Sequence, residues 1–339
     1  MEKDYAILNL LDVIYKKIIS SLDSIKNNGL LEGRMGIVLF LYKYARIKNS
    51  EKIEEKAGDI IDDIWESVHM EKPSSSFYNG DSGIAWGLFW LGKNGFLEID
   101  NTLNSYTESV DINIFRVQEI KIPVQIDIES GLFASGIYLS SRCNLPDRNL
   151  LEKYYLQEIS IYLIEECERI LYKKTSCNNI YLPDLTLNLL NSILYFLVYV
   201  HKLRIYPHKT SMLIEYSFIQ IIEMIKHSNV HEIITLKCLL SSINDNMTFH
   251  NIINTNIIND YINKSMKEIK CSLDILSESG IYSLLYDNRF IFEETYSHTI
   301  LNNPQYINLL CNKLIEDEKI PLKKILGIGH GLLTMFHEK

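Results

Sequence analysis

Apolar residues recur at spacings of three and four along several segments of the chain, with polar residues between them. This spacing is typical of an α-helix with one buried face. The clearest segments are DYAILNLLDVIYKKIISSLDSI, EKIEEKAGDIIDDIWESV, NLLEKYYLQEISIYLIEECERIL and SMLIEYSFIQIIEMI. Strand signals are weak, because most β-branched residues are isoleucines at helical spacing and no hairpin turn separates alternating runs. The pattern predicts amphipathic helices.

A second kind of segment is apolar on nearly every side and follows a pair of glycines. The openings read NNGLLEGRMGIVLFLYKYARI, YNGDSGIAWGLFWLGKNGF and DIESGLFASGIYLSSR, and the C-terminal LGIGHGLLTMF is similar. Their second glycines, Gly36, Gly83 and Gly136, lie 47 and 53 residues apart. That period fits a repeated pair of helices.

Amphipathic helices alternating with wholly apolar ones predict two layers, with the amphipathic helices outside. No glycine occurs between Ile137 and Ser279, but the period demands further openings there. In NIYLPDLTLNLLNSI, Pro183 and Asp184 are predicted to start a helix by fixing φ and capping. EIITLKCLLSSINDNM and LSESGIYSLLYDN supply two more openings. Seven helix pairs result, enough to close a ring.

Composition narrows the class of protein. The chain has 339 residues, 47% of them hydrophobic and 23% charged, as in ordinary globular proteins. Its net charge of -9 argues against nucleic-acid binding, which needs clustered Lys and Arg. The first twenty residues lack the pattern of a secretory signal, and no apolar run approaches the roughly 18 residues of a membrane span. We expect a cytoplasmic protein.

Six cysteines are scattered along the chain and never form Cys-x-x-Cys. In a reducing compartment such thiols are usually buried or incidental. A zinc site is the alternative.

Two of the glycine openings resemble repeats of a known protein family. GLLEGRMGIVLFLYKYARI and SFYNGDSGIAWGLFWLGKNGFLE resemble the first two repeats of the lanthionine synthetase C-like (lanthipeptide cyclase) family, and ILGIGHGLLTMF is similar to its seventh. The resemblance implies that residues 1–339 form a single all-α domain. That domain would be an α/α toroid, or barrel, of about seven inner and seven outer helices with glycine-marked turns at one mouth.

The family's enzymes use zinc to activate a cysteine thiolate of a peptide for addition to a dehydrated residue. The resemblance implies zinc ligands in the fifth turn, where LKCLLSS keeps Cys238, and in the sixth, where Ile275 and Leu276 replace a Cys-His pair. It also puts Asn188 in place of a family histidine. Because catalytic zinc needs three protein ligands, we expect no metal and no other cofactor.

Candidate site residues lie near the openings. The resemblance places Asp127 where the family has an aspartate, so it is the candidate general base or acid, although an aspartate before a turn commonly caps a helix or faces water. His330 is predicted to be a turn histidine at the mouth. The predicted ligand-binding residues are Tyr78, Asp81, Trp86, Glu129 and His330.

Two hypotheses about function follow. The first is a zinc-independent or non-catalytic accessory protein of ribosomal peptide maturation, whose partners are a precursor or leader peptide and other maturation enzymes or a transporter. The second is an active enzyme on the same scaffold, either a peptide cyclase or a glycoside hydrolase that uses two carboxylates across a cleft. The carboxylates available near the openings are Glu32, Asp81, Glu129, Asp184, Glu278 and Asp287.

Overall fold

The structure is a computed structural model that describes residues 2–68, 77, 79–98, 101–119, 132–143, 150–172, 185–225, 236, 304–317 and 319–334. Within these ranges the chain is helical and contains no strand, which confirms the all-α prediction. The α-helices are α1 (Glu2–Ser21), α2 (Arg34–Lys48), α3 (Glu51–Val68), α4 (Asp81–Lys93), α5 (Asn101–Glu119), α6 (Leu132–Arg142), α7 (Leu150–Leu171), α8 (Leu187–Lys202), α9 (Pro207–Met224), α10 (Pro304–Glu316) and α11 (Leu322–Thr334).

The predicted alternation of wholly apolar and amphipathic helices is confirmed where the structure describes it. In α2 every residue from Met35 to Ala45 is buried, and in α4 every residue from Ser82 to Leu91 is buried. In α3, between them, the buried residues are Ala57, Ile60 and Ile64, which follow helical spacing. Helices α2 and α4 are therefore surrounded by protein, whereas α3 packs through one face.

The apolar helices contact one another in the order α11, α2, α4, α6 and α8. Each amphipathic helix packs against the apolar helix that precedes it: α3 against α2, α5 against α4, α7 against α6, and α9 against α8. Helix α1 packs against α10 and α11, so the first helix contacts the last two in the described chain. The segment between residues 225 and 304 is outside the described residues apart from Leu236, and closure into a seven-pair toroid stays a prediction.

Two predicted helix openings are corrected by the structure. Helix α8 begins at Leu187, and the side chain of Thr186 caps it by accepting a hydrogen bond from the Leu189 N–H at 3.2 Å. Capping by Asp184 is therefore wrong, because a polar side chain two residues closer to the apolar run takes that place. The C-terminal glycines do not precede their helix either: α11 begins at Leu322, and Gly327, Gly329 and Gly331 lie inside it.

Candidate functional site

The glycine openings of α2 and α4 have the same local geometry. A Cβ atom on Gly36 would lie 2.3 Å from the carbonyl oxygen of Leu30, and one on Gly83 would lie 2.0 Å from that of Phe77. Leu30 and Phe77 each precede the glycine by six positions. In both repeats a backbone carbonyl of the segment before the apolar helix therefore packs against the first turn of that helix. A side chain at the glycine position would overlap this carbonyl, so only glycine fits there.

Gly87 permits a different contact, between the neighbouring apolar helices α2 and α4. A Cβ atom there would lie 2.6 Å from both Cγ and Sδ of Met35 on α2. Gly87 therefore lets α2 and α4 pack closely. Its cost in helix propensity, about 1 kcal/mol relative to alanine, is offset by the contact that it allows.

Asp81 is the first residue of α4 and is partly exposed. A carboxylate at this position interacts favourably with the positive end of the helix dipole. The Tyr106 hydroxyl on α5 donates to its Oδ1 at 3.3 Å. Burial, and then the Asp81 charge, raise the pKa of Tyr106, so this phenol stays protonated and keeps donating. Asp81 is thereby held in place by α5, and its role in ligand binding stays a prediction.

Trp86 lies one turn further along α4 and is 6% exposed. Its ring meets Phe77 edge to face, with centroids 6.0 Å apart. The side chain is part of the core, so a ligand could reach it only at its small exposed edge. A contact of that kind remains the prediction for Trp86.

The prediction that His330 lies in a turn is wrong. It is inside α11, is 2% exposed, and its Nε2 donates to the carbonyl oxygen of Gly36 at 3.2 Å. The Nδ1 atom is buried with no hydrogen-bond partner among the described residues. Burial and the nearby Lys43 charge lower the pKa of His330 to about 3, so the ring is neutral at pH 7. Its visible role is to join the last described helix to α2.

The other predicted site residues are not described. Asp127, Tyr78 and Glu129 lie outside the described residues, and so does Cys238. The structure therefore brings Asp81 and Trp86 together on α4 and His330 against α2, and it leaves the catalytic assignment of Asp127 a prediction.

Comparison with known proteins gives a family match for the first half of the chain. Residues 24–188 match the sequence profile of the family described as lanthionine synthetase C-like protein. Residues 24–188 therefore belong to this family. The matched region runs from the segment before α2 to the start of α8 and so contains the equivalent glycine openings of α2 and α4. No curated protein matches the chain.

The sequence resemblance predicts zinc ligands at Cys238, Ile275 and Leu276. Ile275 and Leu276 have no atom that can bind a metal, which leaves Cys238 as the remaining donor of that set. All three residues lie outside the described ranges. Among the residues that the structure does describe, no group of three or more His, Cys, Asp or Glu side chains could hold a metal ion.

None of the described helices is long and apolar enough to cross a membrane.

The sequence interpretation missed a buried ion pair between α5 and α6. Arg142 is fully buried, and its Nη2 and Nε donate to Oδ2 of Asp111 at 2.7 and 3.3 Å. The guanidinium carbon also lies 4.8 Å from the centre of the Phe89 ring on α4. Since the pair is closed to solvent, it fixes the positions of three helices and offers no group to a ligand. Asp111 belongs to an amphipathic segment, where an acidic residue is usually assigned to the solvent face.

Proposed function

We propose that this lanthionine synthetase C-like protein binds a ribosomally made precursor peptide and assists its maturation without zinc-dependent cyclase activity. The observation that carries the proposal is a contrast within the chain. The packing glycines of the scaffold are kept, down to equivalent carbonyl contacts at Gly36 and Gly83. The positions for the zinc ligands, in contrast, hold the hydrocarbon side chains Ile275 and Leu276.

The chemistry of the donor set supports the non-catalytic part of the proposal. A catalytic zinc ion requires three protein ligands and one open position, and structural or catalytic sites bind tightly because all of these donors act together. One thiolate from Cys238 supplies a single donor. The family's reaction depends on zinc to deprotonate the substrate thiol, so we derive no catalytic step through a metal in this protein.

The peptide-binding part of the proposal is supported by family membership and by charge. The net charge of -9 favours a peptide that carries basic side chains. Asp81, held at the start of α4 by Tyr106, is an acidic group of the glycine-marked end that remains partly exposed. Other maturation enzymes or a transporter would act on the bound peptide.

The test uses the purified full-length chain and synthetic leader segments of precursor peptides encoded by neighbouring genes. We expect less than stoichiometric zinc by elemental mass spectrometry, no loss of thiol from a dehydrated precursor, and leader binding with a Kd of about 1–10 μM, which corresponds to about 7–8 kcal/mol. Cys238→Ser should change none of these readouts.

Two results would overturn the proposal. One is stoichiometric zinc whose removal by a chelator abolishes thiol consumption. The other is the absence of leader binding at 100 μM. If the protein does turn over a peptide without zinc, Asp127→Asn decides whether the alternative enzyme acts through that carboxylate, since loss of turnover would support a general acid or base there.

A further inference from the structure

A cleft of about 400 Å³ opens at the end of α2 opposite to its glycine opening. Its walls come from the last turns of α2, the α2–α3 turn, the first turn of α3 and the segment after α4. The lining side chains that matter here are Tyr42, Ala45, Arg46, Glu51, Glu54 and Phe96. At 1.5 Å per residue, Arg46 lies about 18 Å along the helix axis from Arg34. The cleft is therefore separate from the glycine-marked end.

One wall of the cleft is aromatic. The Phe96 ring is tilted against Tyr42 with centroids 5.2 Å apart, and it stacks on Trp90 at 6.0 Å. The Arg46 guanidinium carbon lies 3.9 Å from the centre of the Phe96 ring, and Nη2 donates to the carbonyl of Asn94 at 3.2 Å. The chain's own arginine thus shows that this wall accepts a planar cation. It also means that the Arg46 charge is already engaged.

The opposite wall is acidic. Glu51 and Glu54 are exposed side chains in the first turn of α3, and neither forms an ion pair with the residues described. Two carboxylates against one engaged guanidinium leave the cleft with excess negative charge, which disfavours an anionic ligand.

An independent feature of the cleft is the hydroxyl of Tyr42. The residue is only 5% exposed, it lines the cleft, and its hydroxyl makes no hydrogen bond with the residues that the structure describes. A hydroxyl has one donor and two acceptor sites, so this one can accept a hydrogen bond from a ligand in the cleft. Burial, and then the charges of Glu54 and Asp62, raise the pKa of Tyr42, so the oxygen remains a neutral hydroxyl that can accept a hydrogen bond.

We propose that this cleft binds one basic side chain of a peptide, whose N–H groups donate to the Glu54 carboxylate and to the Tyr42 hydroxyl. The inference rests on the proposed peptide-binding function and adds a second contact point to it, at the other end of the apolar helices. A cation with several donors satisfies both the acidic wall and the hydroxyl, which neither an anion nor an apolar group does.

The alanines provide a direct probe. The chain contains alanine at positions 6, 45, 57, 85 and 134 only, and Ala45 lines the cleft. Ala85 is fully buried in α4 next to Trp86, near the glycine-marked end. Deuterated full-length protein with ¹³C-labelled alanine methyl groups should therefore report the two ends of the scaffold through separate signals.

The titration uses Nα-acetyl-arginine amide, with Nα-acetyl-alanine amide as the uncharged control. We expect the arginine derivative to shift the Ala45 methyl signal in a saturable way at millimolar concentration and to leave Ala85 in place. Glu54→Gln and Tyr42→Phe should each weaken this binding by about fivefold or more, since a hydrogen bond to a charged group is lost. Glu55→Gln, an exposed neighbour on α3 that does not line the cleft, should bind as the natural protein does.

An unmoved Ala45 signal at 20 mM Nα-acetyl-arginine amide would overturn the inference, and so would equal shifts with the alanine derivative or unchanged binding in Glu54→Gln. Leader segments separate this inference from the proposed function. Leader binding that leaves Ala45 unaffected would refute the cleft contact and preserve the function. A saturable arginine shift without leader binding would support the cation site and count against the function.

Discussion

The Nε2 atom of His330 lies 3.2 Å from the carbonyl oxygen of Gly36, a residue 294 positions earlier in the sequence. Because a carbonyl oxygen can only accept, Nε2 carries the proton and Nδ1 is the bare acceptor. The hydrogen bond therefore selects one neutral tautomer and joins α11 to α2 at the first turn of α2. Gly329 reinforces this contact, since a Cβ atom there would lie 2.7 Å from the Phe40 ring.

The buried His330 ring predicts acid sensitivity. Its pKa falls from 6.5 to about 3 on folding, because burial and Lys43 disfavour the charged ring. Above pH 6.5 the His330 ring is neutral in both the folded and the unfolded chain, so its contribution to stability is complete there. That contribution declines below pH 6.5, by up to about 1.4 kcal/mol per pH unit, and the decline ends near pH 3.

We expect His330→Gln to unfold with a shallower pH dependence between pH 6.5 and pH 4 than the natural protein. Urea unfolding at half-unit steps measures it, and the difference between the two proteins cancels the titration of carboxylates common to both. Parallel stability curves over this window would contradict the buried neutral ring.

Replacing Gly87 or Gly58 by alanine should change the stability of the protein in opposite directions. Gly87→Ala should destabilise the protein by about 1–3 kcal/mol, because the new Cβ would overlap Met35, at 2.6 Å from two of its atoms. Gly58→Ala is the matched control within α3, where the nearest atom, the Tyr42 hydroxyl oxygen, would be 4.0 Å away. There the gain in helix propensity should stabilise the protein by about 0.5–1 kcal/mol.

Thermal and urea unfolding of both alanine variants test this pair. Equal changes in the free energy of unfolding would show that helix propensity, and not the contact between α2 and α4, determines what Gly87 does.

The buried ion pair predicts strong coupling between α5 and α6. Arg142→Met should destabilise the protein by about 3–5 kcal/mol, since it leaves the Asp111 carboxylate buried without its cation. Adding Asp111→Asn to Arg142→Met removes the uncompensated charge and should recover part of the loss. A double variant that is less stable than the sum of the two single changes would contradict this account.

Sequence alone predicted the helices well and the site poorly, for physical reasons. The apolar stripes and the 47-residue spacing of Gly36 and Gly83 reflect local geometry repeated along the chain, so periodicity reveals them. Whether His330 faces a ligand or the core depends on which helix packs against it, and that contact joins the two ends of the chain. The acidic cleft beside Tyr42 was missed because it combines the end of α2 with the segment after α4, whereas the glycines drew attention to the opposite end.

Asp81 allows a structural role and a ligand-binding role to be separated. Both Asp81→Asn and Tyr106→Phe should destabilise the protein by about 1 kcal/mol, because each weakens the hydrogen bond between α4 and α5. They differ in charge: Tyr106→Phe keeps the carboxylate at the start of α4, and Asp81→Asn removes it. If Asp81 attracts a basic leader peptide, Asp81→Asn should weaken leader binding by about threefold or more while Tyr106→Phe changes it little. Isothermal titration and urea unfolding of the same samples give both quantities. Equal loss of leader binding in the two variants would mean that the position of α4, and not the Asp81 charge, is what the peptide senses.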